Sequence, residues 1–283
     1  LKDTIQNIIN YDFDYLEENY TEESAKKLFN KNLNPYIPVL DKNMSIKNLL
    51  YVPYEIKNEL KNPVLLMAGG KGSRLGEITR DKPKPLVDIK GVTLLEYQLK
   101  KIEKYGFRKI YISLHHMANQ IIDKVSEFEI DNIEIDFIIE EEPLGTAGSL
   151  YYLQEESMPV LTVNCDVITE TNFREMLSTF DEKGADVLVG VRPFNTFIPY
   201  GVIKVENKKV AGFDEKPMYQ DWVSAGINII SKNIISNIKN KHYLDMSELI
   251  EQSISKYNVH PYYITERWLD VGSQEELSKL DML

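Results

Sequence analysis

Cysteine is almost absent from this chain. Cys165 is the only one in 283 residues, so no disulfide can close within it and the pattern of a small oxidised, secreted fold is excluded. Long apolar runs are missing too: none approaches the roughly 20 residues that a membrane-spanning helix needs, and the start lacks the order of a signal peptide. Together these absences lead to the expectation of a cytoplasmic protein. The chain begins at Leu1 rather than Met, which reads as a piece of something longer. Cations are in deficit, 33 Lys and Arg against 44 Asp and Glu, for a formal net charge of -11. That balance argues against nucleic acid or an anionic membrane as partner. No internal repeat or low-complexity segment is present. What is present is 43% hydrophobic content with 10% aromatics, enough for a true core in one large domain or two smaller ones.

Residues 1–62 differ in texture from the rest, being rich in Asn, Lys, Glu and Tyr. Thr21-Glu22-Glu23-Ser24 has the make-up of a helix start, leading to Ala25, Leu28 and Phe29 on one face. A strand at 36–40, a turn at Asp41-Lys42-Asn43 and a strand at 45–51 are expected next. From residue 63 strands alternate with helices, the pattern of an α/β fold whose mixed, mostly parallel sheet is flanked by helices. Strands are expected at 63–67, 109–114, 133–139, 160–163, 186–191, 223–230 and 262–264, with a hairpin of 201–206 and 209–213 turning at Asn207-Lys208. Helices are expected at 118–128, 234–238 and 246–257. Thr93 and Glu96 form a capping box ahead of Leu95, Leu99 and Ile102, with Gly106 where a C-terminal cap belongs. Ser273 and Glu276 repeat that capping pattern. Strand 133–139 alternates Ile133, Ile135, Phe137 and Ile139, predicting one more polar face.

The chemistry concentrates after the first of these strands. Met67-Ala68-Gly69-Gly70-Lys71-Gly72-Ser73-Arg74-Leu75 puts three glycines within four residues, and Lys82-Pro83-Lys84-Pro85-Leu86-Val87 follows. Glycine lets backbone N–H groups turn inward and approach a ligand, while Lys and Arg add mobile positive charge, so the stretch reads as a phosphate cradle. Between residues 71 and 84 stand five cations, Lys71, Arg74, Arg80, Lys82 and Lys84, against Glu77 and Asp81. A local excess of three positive charges within an acidic protein implies a specific anion. Neither the Rossmann dinucleotide spacing nor the P-loop fits. Asp166 follows the buried-type strand 160–163, at the strand end where α/β sheets collect ligands.

Gly69, Gly70, Gly72, Arg74, Leu75, Thr79, Pro83, Lys84, Pro85 and Leu86 stand in the order of the sugar nucleotidyltransferase signature, and the chain resembles that family over roughly residues 63 to 275. The resemblance continues through the stretch from Glu142 to Gly148, Asn164-Cys165-Asp166, Tyr200-Gly201-Val202, Glu215-Lys216-Pro217, Ala225-Gly226 and Trp268-Leu269-Asp270-Val271-Gly272. It implies a catalytic domain at 63–283 of the short type, without a C-terminal β-helix. The segment 1–62 resembles one CBS motif, centred on Ile37-Pro38-Val39-Leu40-Asp41, or else is a cap packed on the main domain. Close in style are bacterial guanylyltransferases that carry CBS motifs, such as those making GDP-glucosamine for legionaminic acid synthesis. A complete CBS pair would bind an adenosyl ligand or dimerise.

The implied reaction joins a sugar 1-phosphate to the α-phosphorus of a nucleoside triphosphate and expels pyrophosphate. The resemblance assigns Arg74 and Lys84 to the phosphates, Ala68 to Ser73 to the nucleotide cradle, and Asp166 and Asp270 to Mg²⁺. Lys71, Arg80 and Lys82 add steering charge. Glu142, or Glu141 beside it, lies where the family reads the base; a carboxylate accepting from the ring N–H and amino group of guanine points to GTP. Gly145 and Gly201 are expected to admit the base and the sugar closely. Glu215 and Lys216 fall at the sugar-handling position, with Asn164 and Asn228 as polar neighbours. As ordinary residues, Asp270 is a turn residue before Gly272 and Glu215-Lys216 a surface pair. Glucosamine 1-phosphate is the first candidate sugar, followed by mannose or heptose 1-phosphate. A thymidylyl- or uridylyltransferase, or a regulatory subunit with this fold and no turnover, stands as the alternative, and a homo-oligomer is a further expectation. His115 and His116, adjacent and so pointing apart on a strand, read as structural or loop residues. Cys165 reads as a small core residue and Lys241 and His242 as solvated surface.

Overall fold

Val64 and Leu66 face one side of a strand and Leu65 the other, and all three are fully buried, which puts this strand at the centre of a sheet covered on both faces. The computed structural model describes residues 13–25, 28, 36–51, 59–130, 132–273 and 276–277, and the chain divides into two units, Leu1–Lys57 and Asn58–Leu283.

In the first unit β1 (Leu16–Glu17) runs parallel to β2 (Tyr36–Leu40), which pairs antiparallel with β3 (Ile46–Tyr51). The expected turn forms between the last two: Asp41 Oδ1 accepts the main-chain N–H groups of Asn43 at 2.8 Å and Ser45 at 2.9 Å. The bond from Ser45 leads in holding the Asp41 carboxyl below its ordinary pKa. Helix is observed at residues 22–25; Phe29 lies outside the described residues.

The second unit holds, in order, β4 (Val64–Met67), β5 (Asp88–Ile89), β6 (Val92–Thr93), α1 (Leu94–Lys104), β7 (Lys109–Leu114), α2 (Ala118–Val125), β8 (Glu134–Ile139) and β9 (Val160–Asn164). Then come β10 (Val167–Thr169), α3 (Phe173–Glu182), β11 (Val187–Phe197), β12 (Val202–Glu206), β13 (Lys209–Asp214), β14 (Met218–Ile230), α4 (Lys232–Ser236), α5 (Met246–Ile254), β15 (Val259–Tyr263) and β16 (Trp268–Asp270). Seven strands form one sheet in the order β15-β11-β14-β9-β4-β7-β8. Only β14 is antiparallel to its neighbours, so the sheet is mixed and mostly parallel, as expected. Side chains of α1 and α3 fill the core on one face. Those of α4, α5 and the 3₁₀ turn Gly148–Leu153 fill the other.

The N-cap bond of each expected capping box forms. Thr93 Oγ1 accepts the Glu96 N–H at 3.2 Å, and Ser273 Oγ accepts that of Glu276 at 3.3 Å. At the hairpin turn Asn207 (φ 49) and Lys208 (φ 63) are both left-handed, the conformation a two-residue type I′ loop requires. Three expectations change. Helices α2 and α5 are both shorter than expected, stopping at Val125 and Ile254 with turns reaching Phe128 and Tyr257. Strand β8 does not keep one polar face: Ile138, on the side of Glu134 and Asp136, is buried in the second core cluster, while Ile139, on the side of Ile135 and Phe137, is 55% exposed, so near the strand end the covered face is the one expected to be polar. Strands β11 and β14 run far past residues 191 and 223, continuing as a two-stranded ribbon beyond β15 and β9.

Candidate active site

Strands β4 and β9 are parallel neighbours in register, Met67 beside Asn164. The glycine loop and the Asp166 turn therefore leave the sheet at the same end, side by side. Gly72 adopts φ +64, and a Cβ there would come within 2.9 Å of Lys84 Cβ, so this glycine is what lets Lys84 close up on the loop. Thr79 Oγ1 donates to Gly72 O at 2.9 Å and ties the loop back. Around Gly70, by contrast, nothing lies within 4 Å of the Cβ position, which leaves its backbone open to a ligand.

Pro83 is extended at φ -66 and caps the short 3₁₀ turn Lys84–Leu86, whose second residue is Pro85. Held between them, Lys84 is buried to 9% exposure and its Nζ donates to Asp166 Oδ2 at 2.5 Å. The turn carrying Asp166 is tied from two directions. Gln98, fully buried on α1, donates through Nε2 to the carbonyls of Cys165 and Val167, while the Asp166 carbonyl accepts the Val271 N–H at 2.9 Å. Three consecutive carbonyls are thus captured. Further along, Lys101 Nζ and Tyr97 Oη of α1 both donate to Thr169 O. Strand β10 pairs antiparallel with β16, Val167 opposite Asp270, so the two carboxylates are brought together by a short ribbon pinned to α1.

Asp270 is electrostatically uncomfortable. Burial chiefly, and the Asp166 charge next, raise its pKa; Lys84 and Arg74 pull the other way. Its Oδ1 is buried without a hydrogen-bond partner. A Cβ on Gly272 would sit 3.2 Å from Asp270 Oδ1 and 3.3 Å from Arg74 Nη2, so a glycine at this position lets the guanidinium and the carboxylate approach. Two close carboxylates with an orphaned oxygen form a hard-oxygen donor set that suits a divalent cation. Among the described residues no group of three or more His, Cys, Asp or Glu is placed to hold a metal.

A cavity of about 310 Å³ opens between these elements. Ala68, Gly69, Gly70, Lys84, Gly145, Asn164 and Asp166 line it, gathering seven of the sequence-predicted residues. Lys71, Ser73 and Arg74 are exposed along the loop outside its lining, and Gly72 and Asp270 lie behind it. Glu142 and Glu141 are exposed and do not line it. Gly201, Glu215 and Lys216 flank the open end of the β12–β13 hairpin and do not line the cavity, and Asn228 is buried against Thr162 with its Oδ1 unpartnered. Gly145 and Gly201 serve internal packing: a Cβ at Gly145 would meet Leu244 O at 2.6 Å, and one at Gly201 the Phe213 ring at 2.4 Å.

Sequence reasoning missed Glu140, Tyr243 and Asp245, which line the same cavity. Glu140 is buried at the end of β8, accepting from the Ser113 and Ser149 hydroxyls and, at 2.9 Å, from the Leu144 N–H. Its place immediately after a strand of the parallel sheet was the available signal. Tyr243 Oη donates to Asp245 Oδ2 at 2.9 Å, and Asp245 Oδ1 accepts the Thr146 N–H at 3.3 Å. The segment around them is laced to the 144–148 turn by the bonds from Ala147 N to Leu244 O and from Leu244 N to Leu144 O, both 2.9 Å. Nothing in the sequence marks that meeting. His115 Nδ1 lies 2.9 Å from Glu140 O, a structural contact. No helix among the described residues is long and apolar enough to cross a membrane.

Residues 63–282 match the Nucleotidyl transferase family, and the chain belongs to it. It is similar to the mannose-1-phosphate guanyltransferase of Yarrowia lipolytica, 26% identical over 221 residues that make up 75% of this chain and 61% of that protein. It is also similar to the mannose-1-phosphate guanylyltransferase catalytic subunit beta of Drosophila melanogaster, 29% identical over 222 residues, 75% of this chain and 60% of that one. The chain thus spans about three-fifths of the length of these curated relatives. Among solved structures, HddC from Yersinia pseudotuberculosis superposes with a TM-score of 0.60 at 26% identity, over 77% of this chain and 97% of that one, and has also been solved with GMP-PN. A putative glucose-1-phosphate thymidylyltransferase from Bacillus anthracis shares the fold, with a TM-score of 0.61 at 18% identity over 78% and 94% of the two chains.

Proposed function

We propose that this chain transfers a nucleoside monophosphate from GTP to a sugar 1-phosphate, forming a nucleotide sugar and pyrophosphate. The observation that carries the reading is the meeting of Lys84 and Asp166 under an open glycine loop, with Asp270 pinned beside them and Arg74 against it. The N–H groups of Gly69 to Ser73 and the Arg74 fork take the β- and γ-phosphates. Lys84 sets a point charge at the incoming phosphates. An already ionised oxygen of the sugar phosphate attacks the α-phosphorus, the bond to the bridging oxygen breaks, and its electron pair leaves with pyrophosphate; no general base is required. Asp166 and Asp270 would hold Mg²⁺, which when bound supplies neutralisation of phosphate charge.

Glu140 rather than the exposed Glu142 is given the base-reading role, because of the three glutamates at 140–142 it is the one that lines the cavity. The guanylyl donors in the names of the relatives, and the GMP-PN complex of HddC, support guanine. Glucosamine 1-phosphate is the first sugar in this reading, handled by Glu215 and Lys216, with Gly201 and Asn228 as further candidates. The first unit is assigned as a partial CBS-like element on its helix, strand, turn and strand, and a homo-oligomer, checked by light scattering, completes the proposal. Pyrophosphate release measured over a matrix of nucleoside triphosphates and sugar 1-phosphates with Mg²⁺ tests the reading. GTP with one sugar 1-phosphate is expected to dominate; no turnover with any pair would sink it.

A further inference from the structure

Arg192 stands midway along β11, where the strand leaves the central sheet, one residue past the last pairing with β15, Val191 with Tyr263. Its guanidinium carbon lies 4.3 Å from the centre of the Trp268 ring. Its Nε is buried with no hydrogen-bond partner, and it forms no ion pair among the described residues. A half-buried cation without a counter-ion is costly. This one is also held in place, because Trp268 is anchored by its indole N–H to Ala225 O at 2.9 Å and packs on the core. A guanidinium held over a ring still presents a planar fork of N–H donors, the geometry that meets two oxygens of a phosphate.

Position says which phosphate. Trp268 and Asp270 are two residues apart on β16, so they share a face at a spacing of about 7 Å. Strands β11 and β9 are both antiparallel to β14, so Arg192 and Asp166 lie at the same end of the sheet. In the order β11-β14-β9-β4, Asp166 comes between Arg192 and the glycine loop. The loop side has Arg74 and Lys84; the opposite side, where β11 continues toward Gly201, has Arg192.

We propose that Arg192, stacked on Trp268, is the anion-binding residue for the acceptor and takes the phosphate monoester of a sugar 1-phosphate. The proposal rests on the transferase reading. Arg192→Met keeps an apolar stem on the indole and removes the charge; Arg192→Lys keeps the charge and loses the fork. Calorimetric titration of sugar 1-phosphate, of the same sugar without phosphate, of inorganic phosphate and of GTP into each protein separates the sources of affinity. The expected result for Arg192→Met is a loss of at least about tenfold for sugar 1-phosphate, an equal loss for inorganic phosphate, unchanged GTP affinity and unchanged or raised Tm. Arg192→Lys should fall between. Wild-type affinity of Arg192→Met for sugar 1-phosphate, or an equal loss for GTP, overturns the assignment alone. Wild-type protein that binds GTP but no sugar 1-phosphate overturns the transferase reading with it.

Discussion

Asp270 works against the fold that holds it. Burial and the neighbouring Asp166 raise its folded pKa above the ordinary 3.8, so between those values the folded state binds more protons and stability falls as pH rises. At neutral pH the ionised carboxylate is a liability that a bound cation would relieve. Asp270→Asn should therefore raise Tm by about 2–4 °C in chelator, abolish the stabilisation that Mg²⁺ gives wild type, and lower turnover by about two orders of magnitude. Thermal unfolding with and without Mg²⁺, beside a rate assay, reads all three; a lowered Tm in chelator would contradict this account of Asp270. Glu140 makes the second residue-scale prediction. Glu140→Gln leaves the packing with Ser113 and Ser149 nearly isosteric but swaps an acceptor for a donor, so preference for GTP over UTP should fall about tenfold or more. Discrimination at the wild-type level would remove Glu140 from base reading.

Among the elements, α1 is what makes the carboxylate ribbon rigid. Its Gln98 and Lys101 face the backbone of residues 165–169, and Lys101 is half-buried with its Nζ 4.5 Å from the centre of the Phe173 ring. Burial lowers the Lys101 pKa from 10.5 to about 7. Between those values the unfolded chain binds more protons, so stability should rise as pH climbs from about 7 toward 10 and be lowest below 7. Lys101→Met should flatten that slope and gain about 1–3 kcal/mol near neutral pH in urea unfolding; an unchanged slope would mean that the lysine is not the titrating group. None of this was legible beforehand. The capping box at Thr93 and Glu96 announced the helix, but which carbonyls its polar side chains reach depends on the long-range pairing of β10 with β16. The same holds for the β11–β14 ribbon, whose exposed strands lack the continuous apolar runs that mark strands inside the sheet.

For the whole molecule, the order of elements and the mixed sheet were readable because buried strands such as 64–67 and 160–164 are short apolar runs bounded by glycine and polar turns. The glycine loop, Lys84 and Asp166 were readable as a set because their spacing is local or falls at strand ends. Glu140, Tyr243 and Asp245 were not, since their convergence is made by tertiary bonds between the 144–148 turn and Leu244. Arg192 escaped for the same reason: its interest lies in Trp268, 76 positions later in the chain. The central claim is that one site, built from the ends of β4 and β9, directs attack to the α-phosphorus. Phosphorus NMR of GTP and a sugar 1-phosphate mixed with the protein and Mg²⁺ tests it most directly. Free pyrophosphate appearing together with a new diphosphate diester is the predicted result; GDP with inorganic phosphate, which marks attack at the γ-phosphorus, would contradict it.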